Sequence, residues 1–157
     1  MQIKILHACT LLFVACAGAS AQVQHEPISL QHPRAEAAIR SLTNEFVEGY
    51  NSGDVDKMMK LHGPTYIDVN LGSPQQSRIE RRRYYAGILA KQNSEIRVTP
   101  EKIEVQGNQA LVWGTLVIIR KGDSAPSRPI ELRYMEAWRK LPEGWRAIWG
   151  MDGEINR

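Results

Sequence analysis

The sequence predicts an α+β domain in which helices come first and an antiparallel sheet follows. Between residues 34 and 91, three stretches carry apolar residues at three- and four-residue steps, the spacing of amphipathic helices. After Asn93, β-branched and aromatic residues alternate with polar ones, and glycine-containing connectors of hairpin length separate the segments. Helices grouped before strands, instead of alternating with them, are typical of an α+β fold.

The first two helices meet at a short corner. A long amphipathic helix follows Pro33 and ends at residues 51–53, Asn-Ser-Gly, which tolerate the left-handed conformation of a helix end. Asp54 is placed to cap a short second helix that carries an apolar face. The pair Gly63-Pro64 is expected to end this second helix.

A third helix and five strands complete the predicted domain. Residues 65–69 alternate and are rich in β-formers, which predicts a short strand. Ser77 and Glu80 have the spacing of a capping box, so a helix is expected from Arg78 to Lys91. The remaining strands are expected to pair antiparallel with their neighbours along the chain and cover residues 95–105, 109–120, 128–140 and 145–152.

The N-terminus has the layout of a cleavable signal peptide. Lys4 precedes an apolar run over residues 5–17, and the small residues 19–21 stand before Gln22. The run is too short to span a bilayer, so no transmembrane anchor is predicted. The expected organisation is a signal peptide at 1–21, a flexible leader at 22–33 and one domain at 34–157, located in the periplasm or secreted. Cys16 leaves a lipoprotein processing site as the alternative.

Composition excludes several classes of function. The formal net charge of +3 is too mild to indicate nucleic-acid binding. Both cysteines, Cys9 and Cys16, lie within the predicted signal peptide, so the mature domain is expected to lack disulfides and thiol chemistry. His25, His32 and His62 do not have metal-ligand spacing. Neither a metal nor another cofactor is predicted.

Three local patterns resemble a known superfamily: the corner Tyr-Asn-Ser-Gly-Asp at 50–54, the strand at 65–70, and the hairpin at 133–146. On these, the chain resembles the nuclear-transport-factor-2-like proteins over about residues 34–152, most closely their SnoaL-like and ketosteroid-isomerase-like bacterial branch. The resemblance implies a cone-shaped curved antiparallel sheet wrapped around a long N-terminal helix, a cystatin-like α+β barrel. It also implies an apolar pocket at one end and a homodimer formed through the outer sheet face.

The best-understood members of this superfamily are isomerases that move a proton next to a ketone. They use an aspartate base at the end of the first strand and a tyrosine on the first helix. When the corner at 51–54 is matched, the tyrosine position falls on Phe46, and the base falls on Asn70, or on Val69 if the loop is one residue shorter. None of these side chains can exchange a proton at neutral pH. The resemblance therefore predicts the scaffold and not this chemistry.

Asp68 is the carboxylate nearest to the matched base position. It lies two residues before Asn70 and would face the same side of the strand. If Asp68 lines an apolar pocket, burial would raise its pKa and suit it to act as a general base. The alternative is a side chain that points to solvent near a strand end.

Glu136 is the second candidate catalytic residue. It would share one strand face with Tyr134 and Trp138, an apolar row in which a carboxylate needs either a partner or a role. The alternatives are an ion pair across the strands with Arg146 or Arg120, or a location on the outer, dimer-forming face.

Aromatic side chains supply the predicted ligand pocket, since small-molecule sites are mostly apolar. Trp113 and Trp149 are expected to reach a cavity because they lie on central strands; the alternative is that the aromatic residues form core and interface. The predicted pocket residues are Phe46, Tyr50, Tyr66, Asn70, Trp113, Tyr134, Trp138 and Trp149.

A basic cluster over residues 78–83, with arginine at 78, 81, 82 and 83, is interpreted as a solvated helix face paired with Glu80. An anion or envelope-surface contact is the alternative. Two functions are consistent with the sequence as a whole. One is a homodimeric protein whose pocket binds a small hydrophobic molecule or a protein partner. The other is a cofactor-free isomerase, lyase or hydrolase with Asp68 as base.

Overall fold

The computed structural model describes residues 33–69, 74–91, 94–122 and 128–154. The predicted signal peptide and nearly all of the predicted leader lie outside these residues, and Pro33, placed in the leader, is the first residue of a helix. The elements are α1 (Pro33–Ser52), α2 (Val55–Met59), β1 (His62–Asp68), β2 (Gln76–Ser77), α3 (Arg78–Leu89), β3 (Ser94–Gln106), β4 (Gln109–Arg120), β5 (Ile130–Leu141) and β6 (Gly144–Glu154).

The end of α1 and the starts of α2 and α3 fall on the signals that predicted them. Gly53 follows α1 with a φ of 78°, and the Asp54 carboxylate accepts a hydrogen bond from the backbone N–H of Lys57 at 2.9 Å. At the start of α3 the capping box forms, with the Ser77 N–H donating to the Glu80 carboxylate at 2.7 Å. Within the described residues no helix is both long enough and apolar enough to cross a membrane.

The strands form one six-stranded sheet in the order β2-β1-β6-β5-β4-β3. As predicted, β3 to β6 pair antiparallel with their neighbours along the chain. Two features were not predicted: β1 pairs parallel with β6, and the two-residue strand β2 pairs with β1. These pairings place β1, which carries Asp68, beside the last strand of the domain.

The prediction that Gly63-Pro64 ends the second helix was wrong, because both residues lie within β1. Gly63 fits a close approach between strands, since a Cβ there would lie 3.2 Å from the backbone oxygen of Ala147 on β6. Pro64 lies where the register between β1 and β6 shifts. Proline has no backbone N–H, but at this irregularity no regular hydrogen bond between the two strands is lost.

The predicted fold class is confirmed: α1 packs against a curved sheet that remains open and does not close into a barrel. The core between them contains Ile39 of α1 together with Val112 and Trp138 of the sheet, each at most 1% exposed. A second cluster joins α2 and α3 through Met58, Met59, Tyr85 and Leu89.

The pairing of β5 sorts its side chains onto two faces. Tyr134 and Trp138 are buried against α1, whereas Met135 and Arg139 are exposed on the outer face. Glu136 shares the inner face with Tyr134 and Trp138. The alternative that placed Glu136 on an outer, dimer-forming face is therefore wrong.

Candidate active site

A partly open cavity lies between the helices and the inner face of the sheet. The centre of a water molecule can move within about 60 Å³ of it. Because one water needs roughly 10–15 Å³ on this measure, the cavity holds a few waters or a molecule of a few heavy atoms. Its charged and hydroxyl-bearing lining consists of Thr43, Tyr66, Asp68, Arg81, Tyr85, Tyr134, Glu136 and Asp152.

The most closely paired charges in this cavity are Asp68 and Arg81. Asp68 Oδ2 lies 2.7 Å from Arg81 Nη1, and the two side chains are only 4% and 10% exposed. Tyr66, two residues earlier on the same face of β1, donates its hydroxyl to Asp68 Oδ1 at 3.2 Å. Asp68 is therefore buried and does not point to solvent.

Arg81 reaches the cavity from α3 and bridges several groups. Its Nε donates to the Tyr85 hydroxyl at 2.9 Å, and its Nη2 lies 3.8 Å from the Asp152 carboxylate of β6. The interpretation of the arginine cluster as a solvated face thus fails for Arg81, whose neighbours along α3 point elsewhere. Arg82, for example, pairs with exposed Asp56.

Burial changes the protonation of the two candidate acids. It raises the pKa of Asp68, with the Arg81 charge opposing and the Asp152 charge adding to the shift. Burial also raises the pKa of Glu136, to about 7. The hydrogen bond that Trp138 Nε1 donates to Glu136 Oε2 at 2.9 Å lowers this pKa, but by less than burial raises it. Glu136 is therefore present in both protonation states near neutral pH.

Neither arginine suggested as a partner of Glu136 pairs with it. Arg146 donates to the backbone oxygens of Trp145 and Glu143, at 2.6 and 3.3 Å. Across the described parts of the chain, Glu136 takes part in no ion pair with any side chain. Its carboxyl group faces the cavity with Trp138 as its hydrogen-bond donor.

Two buried polar atoms around the cavity lack partners. Among the described residues, Nδ1 of His62 and the hydroxyl of Tyr134 have no hydrogen-bond partner, although the residues are only 4% and 9% exposed. Burial, reinforced by the charge of Arg81, lowers the pKa of His62 to about 3, so its imidazole is neutral. Both groups can hydrogen-bond a ligand.

Gly150 on β6 allows this close arrangement. A Cβ at position 150 would lie 2.5 Å from the Tyr66 hydroxyl and 3.6 Å from Glu136 Cγ. The absence of a side chain therefore lets Tyr66 and Glu136 approach each other across β6.

Comparison with known proteins identifies the family to which this chain belongs. Residues 43–145 match the model of the SnoaL-like domain. The chain belongs to the SnoaL-like domain family. No curated protein matches the chain significantly.

Solved structures share the fold of this SnoaL-like domain at low identity. One is a domain of unknown function with a cystatin-like fold from Nostoc punctiforme (15% identity, 79% of each chain covered, TM-score 0.70). Another is a proposed dehydratase of the nuclear-transport-factor-2-like family from Streptomyces avermitilis (20% identity, 80% and 99% covered, TM-score 0.68). A ketosteroid isomerase-like protein from Erwinia carotovora atroseptica is also similar (12% identity, 77% and 96% covered, TM-score 0.62).

The SnoaL-like domain brings together part of the predicted pocket. Phe46, Tyr66 and Tyr134 line the cavity with Asp68 and Glu136. Trp138 lies in the core and supports Glu136 through its indole N–H.

The other predicted pocket residues lie elsewhere. The Tyr50 hydroxyl is 2.8 Å from that of Ser94, and Asn70 lies outside the described residues. Trp113 and Trp149 project from the outer sheet face, in register with Met135 and Ala137. A bulge between Ala147 and Trp149 shifts the alternation of β6 and moves Trp149 away from the cavity.

Sequence reasoning missed five of the polar cavity groups: Thr43, His62, Arg81, Tyr85 and Asp152. His62 has the even spacing from Tyr66 and Asp68 that places side chains on one strand face, but this signal counts only if the strand begins at His62. Within the part of the chain that the structure describes, no three or more His, Cys, Asp or Glu side chains are grouped to hold a metal ion. The cavity groups are suited to proton transfer and hydrogen bonding.

Proposed function

We propose that this domain is a cofactor-free enzyme that moves a proton next to a carbonyl group of a small molecule, as an isomerase or lyase does. One observation carries the proposal: the Glu136 carboxyl faces the cavity, is fixed by Trp138 and is paired with no cation among the described residues. Its pKa of about 7 is close to that of an efficient general base at neutral pH.

The other polar groups of the cavity have separate roles around Glu136. Asp68 is held by Arg81 and Tyr66, so it orients this network and is less free to accept a proton. The hydroxyl of Tyr134 is a donor for the charge that develops on a carbonyl oxygen. We therefore assign the base to Glu136 in place of Asp68.

The size of the cavity limits the size of the substrate, and proteins of the same fold indicate the class of reaction. About 60 Å³ of space suits a compact substrate better than a polycyclic one. The Streptomyces protein is a proposed dehydratase and the Erwinia protein is ketosteroid isomerase-like. Dehydration and ketosteroid isomerisation both involve removal of a proton from carbon. These names support proton transfer as the class of reaction, and the geometry of the cavity supports Glu136 as the base.

Hydrogen exchange at carbon tests the proposal without knowledge of the natural substrate. Acetone, hydroxyacetone and aminoacetone are incubated with the protein in D₂O, and proton NMR follows loss of the α-hydrogens. Exchange of at least one compound is expected to be about a hundredfold faster with the wild type than with Glu136→Gln. The control Glu143→Gln removes an exposed carboxylate from the turn after β5 and should exchange like the wild type. Equal rates for all three proteins would contradict the proposal.

A second candidate function is binding of an apolar partner, including a second copy of the chain, at the outer sheet face. The lining of an open depression of about 650 Å³ there includes the apolar Leu111, Trp113, Met135 and Met151 beside the charged Glu101, Arg133 and Asp152. Met135 is 38% exposed. Native mass spectrometry of the purified protein tests it. A dimer or a retained apolar ligand that Met135→Asp removes would support this function, and a ligand-free monomer would rule it out.

We propose that the domain acts after export. The apolar run over 5–17 and the small residues 19–21 support this, and the chain is then periplasmic or secreted. N-terminal sequencing of the protein from a periplasmic fraction should begin at Gln22. A lipid-modified N-terminus at Cys16 would show lipoprotein processing instead.

A further inference from the structure

Two buried atoms on side chains that line the cavity have no hydrogen-bond partner among the described residues. They are Nδ1 of His62 and the hydroxyl oxygen of Tyr134, and the two residues are only 4% and 9% exposed. A buried polar atom without a partner is unfavourable, so a molecule that supplies the missing partner gains affinity. The chemical character of the two atoms therefore indicates what the cavity binds.

His62 is a hydrogen-bond acceptor at Nδ1. Burial and the charge of Arg81 lower the pKa of its imidazole to about 3, so the ring is neutral and carries a single N–H. A hydrogen bond to the backbone of Met58 favours a proton on the ring, so the ring donates this bond to the Met58 carbonyl oxygen. Because Nδ1 has no partner, the N–H is on Nε2, and Nδ1 presents a lone pair.

Tyr134 has the opposite character. Burial raises the pKa of its hydroxyl group, and the charge of Glu136 adds to the shift, so the hydroxyl keeps its proton at neutral pH. Its O–H can be donated to a carbonyl oxygen. Together, the lone pair of His62 and the O–H of Tyr134 complement a molecule that carries a hydroxyl group and a carbonyl group.

The strand pairing places Glu136 between these two residues along β6. His62 is in register with position 147 of β6, Glu136 with position 150 and Tyr134 with position 152. All three side chains line the cavity. A molecule that extends from His62 to Tyr134 therefore passes Glu136, and the carbon that loses its proton lies between the hydroxyl and carbonyl groups.

The surroundings of His62 favour a neutral donor over a charged one. The ring centroids of Phe46, Tyr66 and Tyr85 lie 6.0, 4.2 and 5.7 Å from the centroid of the imidazole. The charge of Arg81 disfavours a proton on this ring, and by the same repulsion it disfavours an ammonium group beside Nδ1. A hydroxyl group is a small donor without charge, so it fits this position.

We propose that the substrate is a small hydroxy carbonyl compound and that His62 recognises its hydroxyl group through Nδ1. This inference rests on the proposed function, since the reacting carbon lies between the two groups that His62 and Tyr134 bind. The cavity of about 60 Å³ limits the substrate to a few heavy atoms. His62 then determines which carbonyl compounds bind, whereas Tyr134 and Glu136 act on the carbonyl group and on the carbon beside it.

Hydroxyacetone and butanone test this class, because they have equally many heavy atoms and differ only in a hydroxyl group against a methyl group. NMR titration of nitrogen-15-labelled protein near neutral pH gives both dissociation constants. Hydroxyacetone should bind at least about threefold more tightly, although the methyl group of butanone gains more from leaving water. A smaller preference, or no binding of hydroxyacetone in the titration, would overturn the inference from wild-type data alone.

Two variants locate the recognition. His62→Gln keeps an amide N–H for the Met58 carbonyl and removes the acceptor at Nδ1, so most of the preference for hydroxyacetone should be lost. Tyr134→Phe removes the donor to the carbonyl group that both ketones share, so it should weaken both and retain the preference. The control Glu143→Gln should bind both ketones as the wild type does.

The outcome that contradicts the role of His62 does not depend on one variant. An unchanged preference in a folded His62→Gln protein would overturn that role. A preference that Tyr134→Phe abolishes would assign the hydroxyl group of the ligand to Tyr134, and would overturn the role of His62 even if His62→Gln did not fold.

The two proposals fail in different ways. If Glu136→Gln retains carbon exchange while the wild type prefers hydroxyacetone, the proton-transfer function is wrong and the cavity is a binding site for hydroxy carbonyl compounds. If Glu136→Gln loses exchange while butanone binds the wild type as tightly as hydroxyacetone, the function stands and the substrate class is wrong.

Discussion

Replacing Glu136 by glutamine should stabilise the protein at alkaline pH and leave it unchanged in acid. In the folded protein burial raises the pKa of Glu136 from 4.5 to about 7. Between these values the folded state binds a proton that the unfolded state has released, so stability falls as pH rises. The contribution of Glu136 is fully present below about pH 4.5 and lost as pH passes about 7.

The magnitude follows from the size of this shift. Each unit of pKa corresponds to about 1.4 kcal/mol, so ionising Glu136 in the folded state costs about 3 kcal/mol above neutral pH. Glutamine keeps an oxygen for the Trp138 indole N–H and carries no charge. Asp68 and Asp152, whose pKa values burial also raises, remain in the variant and affect both proteins.

Urea unfolding followed by tryptophan fluorescence measures the effect. The free energies of unfolding of wild type and Glu136→Gln should agree within about 0.5 kcal/mol near pH 4 and differ by about 3 kcal/mol near pH 8. The control Glu143→Gln should parallel the wild type throughout, since it changes an exposed turn. If the Glu136→Gln curve also parallels the wild type at every pH, the burial of an uncompensated acid in this cavity is refuted.

Three further outcomes follow from the same cavity. Gly150→Ala should lower the free energy of unfolding by about 1–3 kcal/mol because its Cβ would meet the Tyr66 hydroxyl, and urea unfolding in a Tyr66→Phe background should show a smaller loss. Arg81→Met should cost about 3–5 kcal/mol, since it leaves Asp68 buried without its cation, and adding Asp68→Asn should recover part of that loss in the same assay. For any substrate found, kcat/KM should rise as pH increases through about 7, where Glu136 ionises; a profile that is flat, or that falls as pH rises over this range, would contradict its role as base.

Local patterns in the sequence were sufficient to predict the helices and the antiparallel hairpins. Helix spacing after Pro33 predicted α1, and Ser77 with Glu80 predicted the start of α3, because these signals depend on contacts within four residues. The strand at Gln109–Arg120 was predicted with its observed bounds. The connectors between the later strands are short, so their pairing followed directly from chain order.

The rest depends on contacts that chain order does not reveal. The parallel pairing of β1 with β6 joins residues far apart in sequence and brings Asp152 near Asp68. Arg81 turns inward because a buried carboxylate from another element meets it, which overrides the preference of arginine for solvent. A single bulge reverses the face of Trp149, and alternation alone cannot locate a bulge.

Direct titration of Glu136 tests the central claim most closely. Carbon-13 NMR of protein labelled at the glutamate side-chain carboxyl group, with Glu136→Gln for assignment, would follow each glutamate through acid and neutral pH. A resonance missing from the variant should titrate with a midpoint of about 7. If the Glu136 resonance titrates near the ordinary glutamate value of about 4.3, its carboxyl group is not the buried acid–base group proposed here.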